Sequence, residues 1–118
     1  MALTKKELDA RAINTALSFR ILMEKSMKIL EDKNRERNDC WRGVGLRGAF
    51  LEIRSMFFRL RTYMWDTPIP PICTEAYEKW KKEVENSLED LRNFTLLAEL
   101  SLNEDNIEGK GYDREYDD

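Results

Sequence analysis

The side chains able to do chemistry in this chain lie in two polar clusters. One is Lys33-Asn34-Arg35-Glu36-Arg37-Asn38-Asp39-Cys40-Trp41, and the other is Asp90-Leu91-Arg92-Asn93-Phe94. In the second, a carboxylate and a carboxamide stand one helical turn apart among apolar neighbours. Both therefore point at whatever the helix packs against, which costs stability unless each finds a partner. That pattern reads as a polar site inside a helical bundle, with Asp90 binding a hard cation or orienting a polar ligand and Asn93 assisting. In the first cluster Lys33 and Arg37 offer charge for phosphate, and Trp41 offers a flat surface for a base. Arg35, Arg42 and Arg47 crowd the same stretch. Plainer roles exist for each: Asp90 pairing with Arg59, Lys33 facing a helix C-terminus as a favourable dipole contact, the arginines simply solvated.

Composition narrows the chemistry. The chain has 118 residues and no histidine, which excludes Ser-His or Cys-His catalysis and histidine zinc sites. Any metal must then be a hard cation on carboxylates, such as Mg2+. Glu52 lies beside an apolar stripe and is the best candidate for an inward-facing acid, although a salt bridge with Arg59 seven residues on is its simpler role. Cys40 and Cys73 form no metal pattern and are expected as free thiols in a reducing compartment. No secretory signal is apparent, and no run approaches the roughly 20 apolar residues of a membrane span. The expectation is a soluble cytoplasmic protein. Net charge is -3, but residues 103–118 hold seven acidic side chains against Lys110 and Arg114, leaving the body near +2. A mildly basic body with scattered arginines suits a small anionic ligand better than nucleic acid.

Three helices must position these groups. Thr4 and Glu7 form a capping box, and Leu8, Ala12, Ala16, Phe19, Met23, Met27 and Leu30 follow at helical spacing, with a second stripe at Ile13, Leu17 and Ile21. This helix should end near Lys33, with 34–47 as a connection. A second helix is expected from about Gly48 to Trp65, packing through Phe50, Ile53, Phe57, Leu60 and Met64. The prolines after Asp66 stop it. Thr74 caps a third, which buries Tyr77, Trp80, Val84, Leu88, Leu91, Phe94 and Ala98 and fades after Leu102. The fold expected is an all-α bundle of three helices, or four if the first is split, in one domain over 1–102 with an acidic disordered tail over 103–118. Two helices carry apolar residues on several faces, so homo-oligomerisation is expected to complete the bundle.

The string from Lys33 to Trp41, with Glu52, Arg59 and Asp90-Leu91-Arg92-Asn93-Phe94, resembles the phage and bacterial family called nucleotide modification associated domain 1. That family is similar in turn to the all-α nucleoside triphosphate pyrophosphohydrolases of the MazG type. The resemblance covers residues 19–100, and Lys33, Asn34, Trp41, Arg59, Asp90 and Asn93 agree with its pattern. Glu36, Arg37, Asn38 and Met56 depart from it, and the paired acids that hold magnesium are not intact. What the resemblance implies is an all-α fold and a nucleotide ligand bound by Lys33, Asn34, Trp41, Arg59 and Asn93, with magnesium held by Asp90 joined by Glu52 or Glu36. For an enzyme it implies hydrolysis of a nucleoside triphosphate to monophosphate and pyrophosphate. The other expectation is a non-catalytic protein that sequesters a nucleotide or acts as an adaptor.

Overall fold

The computed structural model describes residues 2–36 and 40–109. Helices α1 (Lys5–Glu36), α2 (Gly45–Arg61) and α3 (Glu75–Asn103) account for most of them. A 3-10 turn, Cys40–Gly43, precedes α2, and a π-helical turn, Thr62–Asp66, follows it. The architecture is the all-α bundle expected, with no strand among the described residues and with α1 as one helix rather than two.

Local chemistry sets most helix ends. The Glu7 amide donates to the Thr4 hydroxyl at 3.1 Å, and that hydroxyl donates to the Glu7 carboxylate. At α3 the Tyr77 amide donates to the Thr74 hydroxyl at 3.1 Å, satisfying one of the amides that a helix start leaves without a partner. After α2 the chain closes on itself through Thr67, whose hydroxyl donates to the Thr62 carbonyl, and the Pro68–Pro71 segment prevents further helix.

The start of α2 departs from expectation by three residues. No side chain caps it. Instead Leu46 and Arg47 donate their amides to the carbonyls of Asn106 and Ile107, at 2.9 and 3.1 Å. The segment 104–109, expected as part of a disordered tail, is therefore a strap across the N-terminus of α2, held also by ion pairs Arg42–Glu104 (2.9 Å) and Arg47–Glu108 (2.8 Å). Gly45 and Gly109 both have positive φ, +68° and +87°, where a side chain is strained. A Cβ on Gly45 would lie 2.3 Å from the Gly109 nitrogen. Two backbones cross here, and only glycine permits it. Residues 110–118 lie outside the described residues.

The hairpin of α2 and α3 forms the body. The seam of α2 is Gly45, Ala49, Met56 and Leu60, with Ile53 half-buried, not the expected row through Phe50, Phe57 and Met64, which are exposed. The difference is one residue of rotation, and its cause is side-chain size. Ala49 is fully buried, and on α3 Ser87 and Ser101 are nearly so; small residues of this kind let two helices pack where a phenylalanine would hold the axes apart. On α3, likewise, Ser87 is buried and Leu88 exposed. Trp80 donates its indole N–H to the Tyr63 carbonyl at 2.9 Å, tying the far end of the hairpin.

Helix α1 lies against α3 only through its C-terminal half. Arg92 donates from Nε to the buried Ser26 hydroxyl, and Lys25 pairs with Glu89 at 3.1 Å. Residues 4–22 are exposed throughout, so about five turns stand free as an arm. The molecule is elongated accordingly, 62 × 36 × 23 Å, with a radius of gyration of 18.4 Å against roughly 13.5 Å for a compact chain of this length.

Candidate ligand cavity at the α1–α3 crossing

Beyond the Ser26–Arg92 contact α1 and α3 diverge and leave a cavity of about 530 Å³, within the usual range for small-molecule sites. Met23, Met27, Leu30 and Asn34 line it from α1, Leu96, Leu97 and Leu100 from α3, and Trp41 and Arg42 from the 3-10 turn. Trp41 meets Phe94 edge to face, with centroids 5.6 Å apart. Its turn is fixed by the strap: Asn106 Nδ2 donates to the Arg42 carbonyl at 2.7 Å, while the Arg42 guanidinium grips the Glu104 carboxylate through Nε and Nη2, both at 2.9 Å.

Three side-chain atoms around this crossing are closed off from solvent and have no hydrogen-bond partner: Asn34 Oδ1, Trp41 Nε1 and Asn93 Oδ1. Each costs about 1–3 kcal/mol when left unmatched. Bulk water cannot reach them, so the missing bonds have to come from within the site. One indole donor and two amides, which donate or accept according to their flip, suit a flat polar molecule with alternating donors and acceptors on its edge.

Several residues expected from sequence gather here. Asn34 and Trp41 line the cavity. Asp90, Asn93, Phe94 and Leu97 share one flank of α3 at i, i+3, i+4 and i+7, with Phe94 against Trp41 and Leu97 in the cavity wall. Asn93 is buried and Asp90 half-buried, as is Lys33 next to Asn34. The rest do not join them. Arg59 and Glu52 are exposed on α2, and Glu36 is exposed at the end of α1. The simple pairings are absent as well. Asp90 and Arg59 form no ion pair, and Glu52 and Arg59 stand two turns apart on one helix, roughly 10.5 Å along the axis, too far to meet.

The residues expected to hold a metal are likewise spread out. Among the described residues no three of the aspartate, glutamate and cysteine side chains converge to hold an ion, and Asp90, Glu52 and Glu36 sit on three different helices. The donor set does not fit a magnesium centre within one chain. Arg37, Asn38 and Asp39 lie outside the described residues, and of Cys40 only the backbone is described.

Sequence reasoning missed the Ser26–Arg92 lock and the Arg42–Glu104 clamp. Ser26, a small polar residue interrupting an apolar stripe between Met23 and Leu30, was the available signal for the first. The second joins residues 62 positions apart and left no local sign. No protein-family model, curated protein or solved structure matches the chain. No helix among the described residues is long and apolar enough to cross a membrane.

Proposed function

We propose that this protein binds a nucleotide in the α1–α3 cavity, holding the base against Trp41, and serves nucleotide metabolism or modification in the cytoplasm. The observation that carries the reading is the cavity itself, apolar in most of its walls and edged by the unmatched polar atoms of Asn34 and Trp41, with the unmatched Asn93 carboxamide one helical turn before Leu97 of the wall. A nucleobase is a flat ring whose rim carries donors and acceptors, and it would fill both needs. Lys33 beside the cavity supplies charge for the phosphates. The motif resemblance supports the same ligand class.

Binding is favoured over turnover. Hydrolysis through two metal ions needs about four converging acids, and among the described residues no three converge. The test is to incubate the purified protein with Mg2+ and a panel of ribo- and deoxyribonucleoside triphosphates, follow Trp fluorescence, and then separate the nucleotides with and without protein removal. Depletion of an intact nucleotide with the protein, lost in Trp41→Ala, is the result expected. Monophosphate and pyrophosphate, lost in Asp90→Ala, would replace the binding reading with the pyrophosphohydrolase one. Every nucleotide remaining free and intact would overturn both.

A further inference from the structure

Two unpartnered surfaces belong to the same chain and match each other. One is the arm, residues 4–22 of the N-terminal segment, exposed on every side. An isolated helix of this length is marginal in water, yet the arm presents Leu8, Phe19 and Leu22 on one stripe and Ile13, Leu17 and Ile21 on another. The other is a groove of about 480 Å³ at the far end of the hairpin, walled by Phe57, Leu60, Met64 and Trp65 of the α2 side and Leu88 of α3. No α1 residue lines it. Because α1 is unbroken and pinned to α3 at Ser26, the chain's own arm does not enter its own groove.

We infer that the occupant of the groove is the α1 arm of a second copy of this chain, inserted reciprocally to give a closed two-fold dimer. Charge agrees with this pairing. Residues 5–22 carry Lys5, Lys6, Arg11 and Arg20 against Glu7 and Asp9, about +2, whereas the two walls of the groove together carry about -1: residues 50–66 hold Arg54, Arg59 and Arg61 against Glu52 and Asp66, and residues 75–89 of α3 hold five glutamates against three lysines. Arg61 at the groove rim is already paired with Asp66 at 3.4 Å. Area agrees as well. The chain exposes 9555 Å², where a compact chain of 14.0 kDa exposes roughly 6,700 Å². Assigning the undescribed residues the full surface of an extended chain still leaves an excess on the order of 1,000 Å², enough for the roughly 800 Å² that each partner gives to a stable interface. The dimer forms without a ligand in the cavity.

The test is complementation, read as mass by light scattering after size exclusion at a fixed concentration of tens of micromolar. The wild-type chain is expected as a dimer. An arm variant, Leu17→Asp with Phe19→Asp, and a groove variant, Phe57→Asp with Met64→Asp, are each expected as monomers. All four positions are exposed, so helical circular dichroism should remain at the wild-type level. Mixed in equal amounts, the two variants are expected to form a heterodimer, because one intact arm then meets one intact groove. A monomeric wild type would overturn the inference. So would a groove variant that dissociates while the arm variant does not, which would indicate direct packing of α2 on α2, or a mixture that yields no heterodimer.

Discussion

Replacing Gly109 by alanine tests whether the strap is part of the fold and of the ligand site. A Cβ at this position would stand 2.2 Å from the Gly43 carbonyl oxygen and 2.9 Å from its carbon, both backbone atoms that cannot swing aside. The positive φ alone costs about 1–2 kcal/mol for a non-glycine residue. The contact adds to that until releasing the strap becomes the lesser cost. Release forfeits two backbone hydrogen bonds to the start of α2, the Asn106–Arg42 bond and two half-exposed ion pairs. At about 0.5–1.5 kcal/mol per hydrogen bond, and little for the ion pairs, the expected loss is about 2–3 kcal/mol. For a domain of this size that lowers Tm by about 8–12 °C. Urea and thermal unfolding followed by circular dichroism at matched protein concentration would measure it. Gly45→Ala acts partly through the same release, so the double variant should cost less than the sum of the single ones. Stability of Gly109→Ala within about 0.5 kcal/mol of wild type, or strict additivity, would refute the docked strap. The indole of Trp41 supplies a local readout, since its turn is what the strap holds, and its emission should move toward that of a solvated indole.

Two further outcomes follow from the α1–α3 crossing. Arg92→Ala removes a charged donor from the buried Ser26 hydroxyl and should destabilise by about 1.5–3 kcal/mol, with limited proteolysis in the 36–45 region speeding up first because α1 has so few other attachments; an unchanged cleavage rate would show that the lock does not hold α1. Asn93→Leu replaces a buried, unmatched carboxamide by an apolar side chain of similar size, so stability should stay level or rise by about 1 kcal/mol, while nucleotide affinity measured by fluorescence titration falls at least tenfold; a variant that binds normally would remove Asn93 from the site.

Local features were legible in the sequence, and features made by distant partners were not. The caps at Thr4 and Thr74 each lie within three residues of the amide they satisfy, so the ends they set could be read directly. The start of α2 could not be, because its cap comes from Asn106 and Ile107. Hydrophobicity identified α2 as a helix but misplaced its seam by one residue: Ala49 and Phe50 are both apolar, and what decides between them is the close approach of a serine-bearing helix. In the site, Asn34, Trp41 and Asn93 stood out as polar or amphipathic groups in apolar settings, and the structure gathers them. Glu52 and Arg59 stand out in the sequence only by their neighbours and the motif. Their stripe lies at the edge of the α2 seam and remains exposed, so only a surface from outside the chain could bury it.

The same economy of apolar contact explains both the cavity and the arm. Among the described residues five hydrophobic side chains are buried, and Ser26, Ser87 and Ser101 are buried with them. Small residues bring the axes together at points, and on either side of a point the helices diverge. At the α1–α3 crossing one divergence opens the cavity, and the other sends α1 away from the body as the arm. One rigid helix therefore carries both surfaces. If the arm is seated in a partner's groove, the tilt of α1 is set, and with it the gap between Met27 and Leu100 that a ligand must fill. Ligand and partner then favour one orientation of the same element, so each raises the affinity for the other by an equal factor. Sedimentation with and without the bound nucleotide measures one side of that equality, and nucleotide titration of the monomeric arm variant measures the other. Factors of one would mean that the cavity closes without reference to the arm.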